Sequence, residues 1–240
     1  MRPRILTYII AITVLAALAL PTRWAAKEQK QDPPHYTVID LGTLGGTVSL
    51  AGGLSNSGWV EGYATLPGDT ETHAFLWRDG VMTDLGTLGG PNSAAAFPPR
   101  ESGQAAGAAE TSALDPNGED CFGFFVTTQI CLPFLWRNGV MSPLPTLGGN
   151  NGSAQEINDR AGVVGFAENT TSDPTCIAPQ VLQYKPVIWE KGEAHELPTF
   201  PGDPDGSANA ITTRVRSSAT RVTAAHSLSR TMPCSGKTAH

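Results

Sequence analysis

A seven-residue phrase that recurs along the chain constrains the fold more than any other feature of the sequence. The heptapeptide DLGTLGG stands at residues 40–46 and returns unchanged at residues 84–90. Diverged copies, PLPTLGG and ELPTFPG, begin at residues 143 and 196, so the spacing runs through 44, 59 and 53 residues. Self-similarity at a period of this size indicates a repeat architecture, in which each unit is one supersecondary element.

Two further motifs accompany the first in a constant order. The phrase AFLWRDGVM at 74–82 has copies at 133–141 and 186–194, and the phrase NSGWVEGYA at 56–64 has copies at 101–109 and 157–167. The motifs keep their length while the spacing between them varies. We therefore predict fixed strands, with the insertions confined to the loops that join them. The loops at about 110–132 and 168–185 are expected to share one face as a contact surface.

Turn signals within the repeat predict four short strands in each unit. Asp79-Gly80 separates two apolar runs, and Asn138-Gly139 and Lys191-Gly192 occupy the same slot. Such dipeptides favour a type I′ hairpin turn, because that turn requires positive φ at both central residues. The first unit then reads as strands at about 49–54, 59–64, 73–77 and 81–85.

We predict an all-β repeat protein built from propeller-like blades of four antiparallel strands, with three units and part of a fourth. A β-solenoid or a stack of hairpins is the alternative. The 26 glycines and 19 prolines disfavour long helices. We assign structural roles, such as turns, capping and blade core, to the residues that recur: Asp40, Gly45, Gly46, His73, Trp77, Gly80, Asp84, Gly89, Gly90, Trp136, Gly139, Gly148, Gly149, Trp189 and Gly192.

The three motifs together resemble the HAF-repeat family of bacterial proteins expected to act outside the cell. His73-Ala74-Phe75 carries the triplet that gives this family its name, and the resemblance covers about residues 36–211. The third unit departs from the family pattern at Ala161-Gly162, and the second unit lacks the Ile-Asn-Asp lead-in. The resemblance implies no catalytic residues, no cofactor and no established activity.

The N-terminal residues have the composition of an export signal. Arg2 and Arg4 precede an apolar run from Ile5 to Leu20, and a polar segment follows. We predict a signal peptide over residues 1–26 and a linker over 27–35, with a secreted, periplasmic or extracellular destination. The membrane would be a partner only through this signal, if it stays uncleaved.

The repeat domain is predicted to span residues 36–211, in units of about 36–83, 84–142, 143–195 and 196–211. Residues 212–240 differ from it, since they contain five basic residues and no acid. One base restored after Ile211 lets Thr212 and Thr213 read as Asn-Asp and lets 216–219 read as Val-Val-Gly. We interpret these residues as a frame-shifted repeat that is disordered. A genuine basic arm for an anionic partner is the alternative.

The charge balance and the architecture limit which partners the protein can have. Residues 27–211 contain 8 Lys and Arg against 22 Asp and Glu, which argues against nucleic acid as a partner. Three units and part of a fourth would leave sheet edges open, so we expect self-association through those edges.

The cysteines suit an oxidising compartment. Cys121 and Cys131 flank residues 122–130, inside the insertion of the second unit, and are the predicted disulfide pair. Their spacing does not match a structural zinc site, and we predict no metal.

We predict an exported, non-catalytic repeat protein that acts as a binding or structural scaffold for an unknown extracellular or cell-surface ligand. The first alternative is a secreted propeller-type hydrolase or lyase acting on carbohydrate. It would require acids of several blades around a central channel, but Pro143 and Glu196 interrupt the series that Asp40 and Asp84 begin. The second alternative is a truncated, non-functional remnant.

Overall fold

The computed structural model describes residues 36–199 and 201–212, together with the backbone of residues 222–225. The chain divides into two units, Met1–Ile39 and Asp40–His240, and every strand belongs to the second. Residues 36–39 are the described part of the first unit and form neither strand nor helix. The predicted signal peptide and the whole predicted linker lie outside the described residues.

Three consecutive antiparallel sheets of four strands form most of the second unit, and in each sheet the strands stand in chain order. The first sheet contains β1 (Ser49–Leu54), β2 (Val60–Thr65), β3 (Thr72–Arg78) and β4 (Val81–Asp84). The second contains β5 (Gly89–Ala94), β6 (Ala105–Leu114), β7 (Gln129–Arg137) and β8 (Val140–Pro143). The third contains β9 (Gly148–Ile157), β10 (Val163–Ser172), β11 (Leu182–Glu190) and β12 (Glu193–Glu196). The prediction of an all-β protein with repeated four-stranded units is confirmed.

The Asp-Gly signals mark the β3–β4 hairpin and its two counterparts. Asp79 and Gly80 have φ of 50° and 87°, and the pairs Asn138-Gly139 and Lys191-Gly192 have nearly the same values. Positive φ at both central positions is the type I′ geometry that the sequence predicted. Each fourth strand ends on the first residue of the recurring heptapeptide, which is Asp84, Pro143 or Glu196.

The paired glycines of the crossing between sheets have two different roles. The first of each pair, Gly45, Gly89 or Gly148, adopts a positive φ of 101–106° that L side chains rarely reach. A Cβ on the second, Gly90 or Gly149, would lie 2.6 or 2.4 Å from the Cβ of a glutamate in the second strand of the same sheet. At Gly46 it would lie 2.2 Å from Thr65 Oγ1. The crossing therefore needs one glycine for its turn and one for its close approach.

Successive sheets pack on each other through apolar side chains. The first strand of each sheet lies on the middle strands of the preceding one, as β5 does on β2 and β3 and β9 does on β6 and β7. Leu76 of the first sheet and Leu85 of the crossing that follows it pack with Phe134 of the second sheet. Leu144 and Val187 belong to the corresponding cluster between the second and third sheets. The described core thus lies between sheets, as it does between propeller blades.

The repeated tryptophan faces the preceding sheet. Trp189 is buried between the second and third sheets, and its Nε1 donates to the carbonyl of Pro145 at 2.8 Å. Trp136 is half-buried in the junction before it. Trp77 is also half-buried, on the corresponding face of the first sheet. Large aromatics in such positions contribute mainly by burial.

The fourth unit contributes a two-stranded sheet of β13 (Ser207–Ile211) and β14 (Val222–Ala225). Ala208 and Ile211 of β13 pack against Val164 and Ile188 of the third sheet. β14 falls within the segment expected to be disordered, yet its backbone pairs antiparallel with β13. The remainder of that tail, from residue 213 onward, lies outside the described residues.

The meander order separates the connections onto two ends of each sheet. One end carries the connection between the second and third strands of each sheet and the crossings from one sheet to the next. We call it the crossover end. The opposite end carries the β1–β2 and β3–β4 turns and their counterparts, and we call it the hairpin end. Both long insertions, between β6 and β7 and between β10 and β11, lie at the crossover end.

Candidate functional site

The two insertions contact each other at the crossover end. Glu119 of the first insertion accepts hydrogen bonds from the backbone N–H of Val181 and of Leu182, at 2.5 and 2.9 Å. In return, Gln180 of the second insertion donates through Nε2 to the Asp120 carboxylate at 2.7 Å. These bonds join loops of two different sheets into one surface, so the predicted common face of the insertions exists.

The first insertion is also fixed to its own sheet. Cys121 and Cys131 form a disulfide, and both residues are fully buried beside Ala108 and Phe125. None of the cysteines in the described ranges is a free thiol. A crosslink of this kind restricts the unfolded loop and suits an oxidising compartment.

An aromatic cluster anchors the same insertion on the third sheet. Phe122 stands edge-on to Phe166 and to Tyr184, with ring centroids 4.7 and 5.9 Å apart. Phe166 and Tyr184 are fully buried, in β10 and β11. Edge-to-face aromatic pairs add to the stabilisation from burial alone. The loop is therefore held by packing as well as by hydrogen bonds.

These fixed loops present apolar side chains to solvent. Phe124 and Val126 in the first insertion are 55% and 95% exposed, and Ile177 in the second is 66% exposed. Leu114, at the end of β6, is 69% exposed. We call these four residues the apolar platform. Exposed apolar groups on constrained loops are a common feature of contact surfaces.

An apolar cavity of about 230 Å³ adjoins the apolar platform. The first strand of each sheet lines it, through Leu50 of β1, Ala94 of β5 and Ala154 of β9, and Phe124 reaches it from the insertion. A cavity between strands of different sheets, lined by apolar groups, has the character of a ligand pocket. The apolar platform and this cavity together form the candidate contact site.

Two buried glutamates lie beneath this surface at equivalent repeat positions. Glu110 and Glu168 are fully buried, and Thr65 holds the same position in the first sheet. Glu110 accepts hydrogen bonds from Asn92 Nδ2 and from the hydroxyl of Thr127. Neither glutamate was predicted as a site residue, although each stands three residues after a repeated glycine, as Thr65 does.

Burial raises the pKa of both carboxyls, and a neighbouring negative charge adds to this effect at Glu168. Burial, to which the charge of Glu119 adds, raises the pKa of Glu168 to about 8. Its Oε2 accepts from the backbone N–H of Asn150 and of Asn151, at 3.1 and 2.8 Å. Burial also raises the pKa of Glu110. Because protein donors engage both side chains and solvent does not reach them, we assign them structural roles.

A repeated polar contact links each sheet to the one before it. Asn92 Oδ1 accepts from the backbone N–H of Thr72 at 3.0 Å, and Asn151 Oδ1 accepts from that of Cys131 at 2.9 Å. In the fourth unit, Asp205 Oδ1 accepts from the N–H of Tyr184 at 3.0 Å. The acceptor always comes from the start of a sheet, and the donor comes from the third strand of the preceding sheet. We call this contact the junction clasp.

The remaining residues predicted from the repeats have local roles. Asp40 and Asp84 each accept a hydrogen bond from the backbone N–H two residues later, at 2.9 and 2.8 Å, which begins the turn of the crossing. The His73 Nδ1 lies 2.9 Å from Asp84 Oδ1, so this histidine joins β3 to the same turn. None of these hydrogen bonds involves a residue of the apolar platform.

Neither a metal centre nor a membrane-spanning element emerges from the described part of the chain. Within it, no three or more His, Cys, Asp or Glu side chains are grouped so that they could hold a metal ion. Likewise, the described residues include no helix with the length and apolarity to cross a membrane.

Comparison of the chain with protein-family models, with curated proteins and with solved structures finds no match.

Proposed function

We propose that this protein is an exported, non-catalytic binding scaffold whose contact site is the apolar platform with its adjoining cavity. The observation that carries the proposal is the mutual fixing of the two insertions, which hold exposed Phe124, Val126 and Ile177 on a constrained surface. Preorganised contact groups lose less conformational entropy when they bind. The ligand is an extracellular or cell-surface molecule, in keeping with the resemblance to the HAF-repeat family.

Export is supported by the N-terminal signal composition and by the disulfide between Cys121 and Cys131. Fractionation of a bacterium that expresses the full chain tests this part. We expect the repeat domain in the periplasm or the medium, and protein that remains in the cytoplasm would contradict it.

The alternative of a carbohydrate-active hydrolase needs carboxyl groups that substrate can reach. Two carboxyls that recur in the repeat, Glu110 and Glu168, are fully buried and hydrogen-bonded to protein groups. Asp40 and Asp84 also recur and are exposed, but each accepts from a backbone N–H of its own turn. The burial of Glu110 and Glu168 supports the scaffold over the hydrolase. The non-functional remnant predicts no specific binding at all, so one binding experiment separates the three interpretations.

The experiment measures retention and turnover of the same preparation. Purified full chain is applied to insoluble cell-surface material and to a polysaccharide panel, and released reducing sugar is assayed in parallel. We expect retention without turnover. The Phe124→Ser/Val126→Ser double variant should lose about tenfold in affinity, because it removes two apolar contacts. Val81→Ser removes a side chain of similar exposure at the hairpin end and is the matched control.

Release of sugar from a panel member would contradict the non-catalytic proposal. Equal retention of wild type and the double variant would remove the apolar platform as the contact site. Absence of retention on every material would favour the remnant.

A further inference from the structure

A second concavity lies at the hairpin end, between the second and third sheets. This cleft has a volume of about 750 Å³. Leu144, Val163 and Trp189 line it and are buried, so they form its floor. Arg137 and Lys191, from the β7–β8 and β11–β12 turns, and Arg160, from the β9–β10 turn, also line it and are exposed. Three turns from two sheets thus bring their cations to one opening.

The cleft is basic within an acidic domain. Residues 36–212 contain six Lys and Arg, and three of them line this cleft, whereas none of its lining residues is Asp or Glu. Glu190 and Glu193 flank the Lys191 turn, and they stand opposite each other in the register of β11 and β12. Glu190 alternates with Trp189, so both glutamates lie on the sheet face opposite the cleft.

The three cations of the cleft have no partner among the described groups. Arg78 forms an ion pair with Asp79, Arg100 contacts Asp159, and Lys185 donates to the carbonyl of Pro204. No ion pair and no side-chain hydrogen bond within the described ranges involves the side chains of Arg137, Arg160 or Lys191. Asp159, the acid next to Arg160, contacts Arg100 instead. Unpaired cations in such a cleft attract anions, because field lines concentrate in a concave site with an apolar floor.

The preceding junction shows that the repeat does not require this charge. Arg78 is the counterpart of Arg137, but there Asp79 stands in place of Asn138, and Asp84 stands in place of Pro143. The second sheet faces the first junction in the way that the third sheet faces the cleft. There Ser102 holds the position equivalent to Arg160, and Asn138 holds the position equivalent to Lys191. Each of these four differences makes the second junction more positive than the first. Packing of the sheets does not explain them, since the first junction packs without the cations.

We propose that the cleft between the second and third sheets binds a multivalent oxyanion, a ligand with two or more carboxylate, sulfate or phosphate groups. The cations stand on separate turns around the opening, so a ligand with several charged groups satisfies more of them than a monovalent anion does. Arginine favours planar, bidentate contact with such groups. The site is at the opposite end of the sheets from the apolar platform, and its occupancy does not depend on the scaffold proposal.

Calorimetric titration of the full chain at low ionic strength tests the proposal with three probes. A sulfated heparin hexasaccharide, an oligogalacturonate and inorganic tripolyphosphate distinguish sulfate, carboxylate and phosphate as the source of the charge. We expect at least one probe to bind, and to bind more weakly at about 0.15 M salt, because screening weakens contacts between exposed charges.

Variants that copy the first junction locate the site. Arg160→Ser and Lys191→Asn install the residues found at the equivalent positions there, and together they should weaken binding about tenfold or more. Asn138→Asp should weaken it without removing a cation. Arg78→Ser has the same charge change as Arg160→Ser but lies outside the cleft, so it should change affinity less than about twofold.

Two results would overturn the proposal. One is the absence of binding to all three probes at low ionic strength by a chain with an intact cooperative melt. The other is an equal loss of affinity in Arg78→Ser and Arg160→Ser, which would show that the probes respond to net charge alone.

Discussion

The carboxyl group of Asp205 meets that of Asp173, at the junction where the fourth unit follows the third. The preceding junction pairs Asp115 with Asn151 at the equivalent positions, and there Asn151 Nδ2 donates to Asp115 Oδ2 at 3.0 Å. Among the described residues, no other group donates to the Oδ2 atom of Asp173 or of Asp205, and both acids are buried. Two acids therefore take the place of an acid and an amide, and a shared proton must supply their hydrogen bond.

Asp205→Asn should stabilise the protein at neutral and alkaline pH. Burial, aided by the charge of Asp173, raises the pKa of Asp205 to about 7. Its contribution to stability is therefore complete below about pH 4 and is lost as the pH rises through about 7. The amide restores the donor without titrating. Urea unfolding at pH 8 should show a gain of about 1–2 kcal/mol that shrinks toward pH 4.

The reverse change at the preceding junction is the matched control. Asn151→Asp recreates the acid pair beside Asp115 and should lower stability as the pH rises through neutrality. A gain from Asp205→Asn that is the same at pH 4 and pH 8 would contradict the shared proton.

Glu168→Gln should also reduce the dependence of stability on pH. The pKa of Glu168 is raised to about 8, so wild type loses stability between about pH 4.5 and pH 8. Glutamine retains an oxygen for the N–H groups of Asn150 and Asn151 and carries no charge. The free energy of unfolding of the variant, relative to wild type, should rise by about 2 kcal/mol or more from pH 5 to pH 9. Glu168→Ala should be less stable than Glu168→Gln at every pH.

Ala161→Gly should stabilise the protein by about 1 kcal/mol, since Ala161 has a left-handed φ of 62°. Gly58 and Gly103 occupy the equivalent turn positions, with φ of 84° and 73°. Thermal unfolding provides the measurement. Gly58→Ala should cost about the same amount, because nothing lies near the added methyl group. Gly103→Ala should cost more, since its Cβ would lie 2.7 Å from Trp59.

Gly149→Ala should destabilise the protein by about 1–3 kcal/mol through overpacking. Its Cβ would lie 2.4 Å from Glu168 Cβ and 2.6 Å from the Asn169 carbonyl oxygen. Gly139→Ala, in an open turn at φ of 82°, should cost only about 1 kcal/mol from its backbone conformation. Chemical denaturation of both variants makes the comparison. An equal cost would show that the close approach at the crossing is relaxed at little expense.

The Cys121→Ser/Cys131→Ser double variant should lose about 2–3 kcal/mol, because the loop between these residues regains its freedom in the unfolded chain. Reduction of wild type with dithiothreitol should produce at least this loss, because Cys176 is disulfide-bonded too. A variant as stable as the oxidised wild type would mean that the contacts of Phe122 and Glu119 suffice to hold the insertion.

The sequence predicted the strands of the first unit to within one residue at each end, because the hairpin turns leave little choice of register. Gly80 and Gly139 mark such hairpin turns directly in the sequence. It did not predict the positive φ of Ala161, since an alanine in that conformation has no signal in composition. The pairing of Cys121 with Cys131 followed from their position around one insertion.

The buried polar groups were beyond prediction for a different reason. Glu110 and Glu168 look like solvent-exposed charges at the ends of strands, and only the packing of an insertion over them reveals their burial. The cations of the basic cleft are similarly separated along the chain, at residues 137, 160 and 191. Their proximity depends on how two sheets face each other, which a linear motif does not encode.

The junction clasp runs in the same direction along the chain at every junction described. The later repeat always supplies the acceptor, and a backbone N–H of the earlier repeat is the donor. The donor residue is Thr72, Cys131 or Tyr184, so the bond forms with three different side chains at this position. The side chain at the donor position of the third strand can thus change without loss of this hydrogen bond to the next repeat. This contact constrains one side chain per junction, and it constrains none of the loops at either end of the sheets.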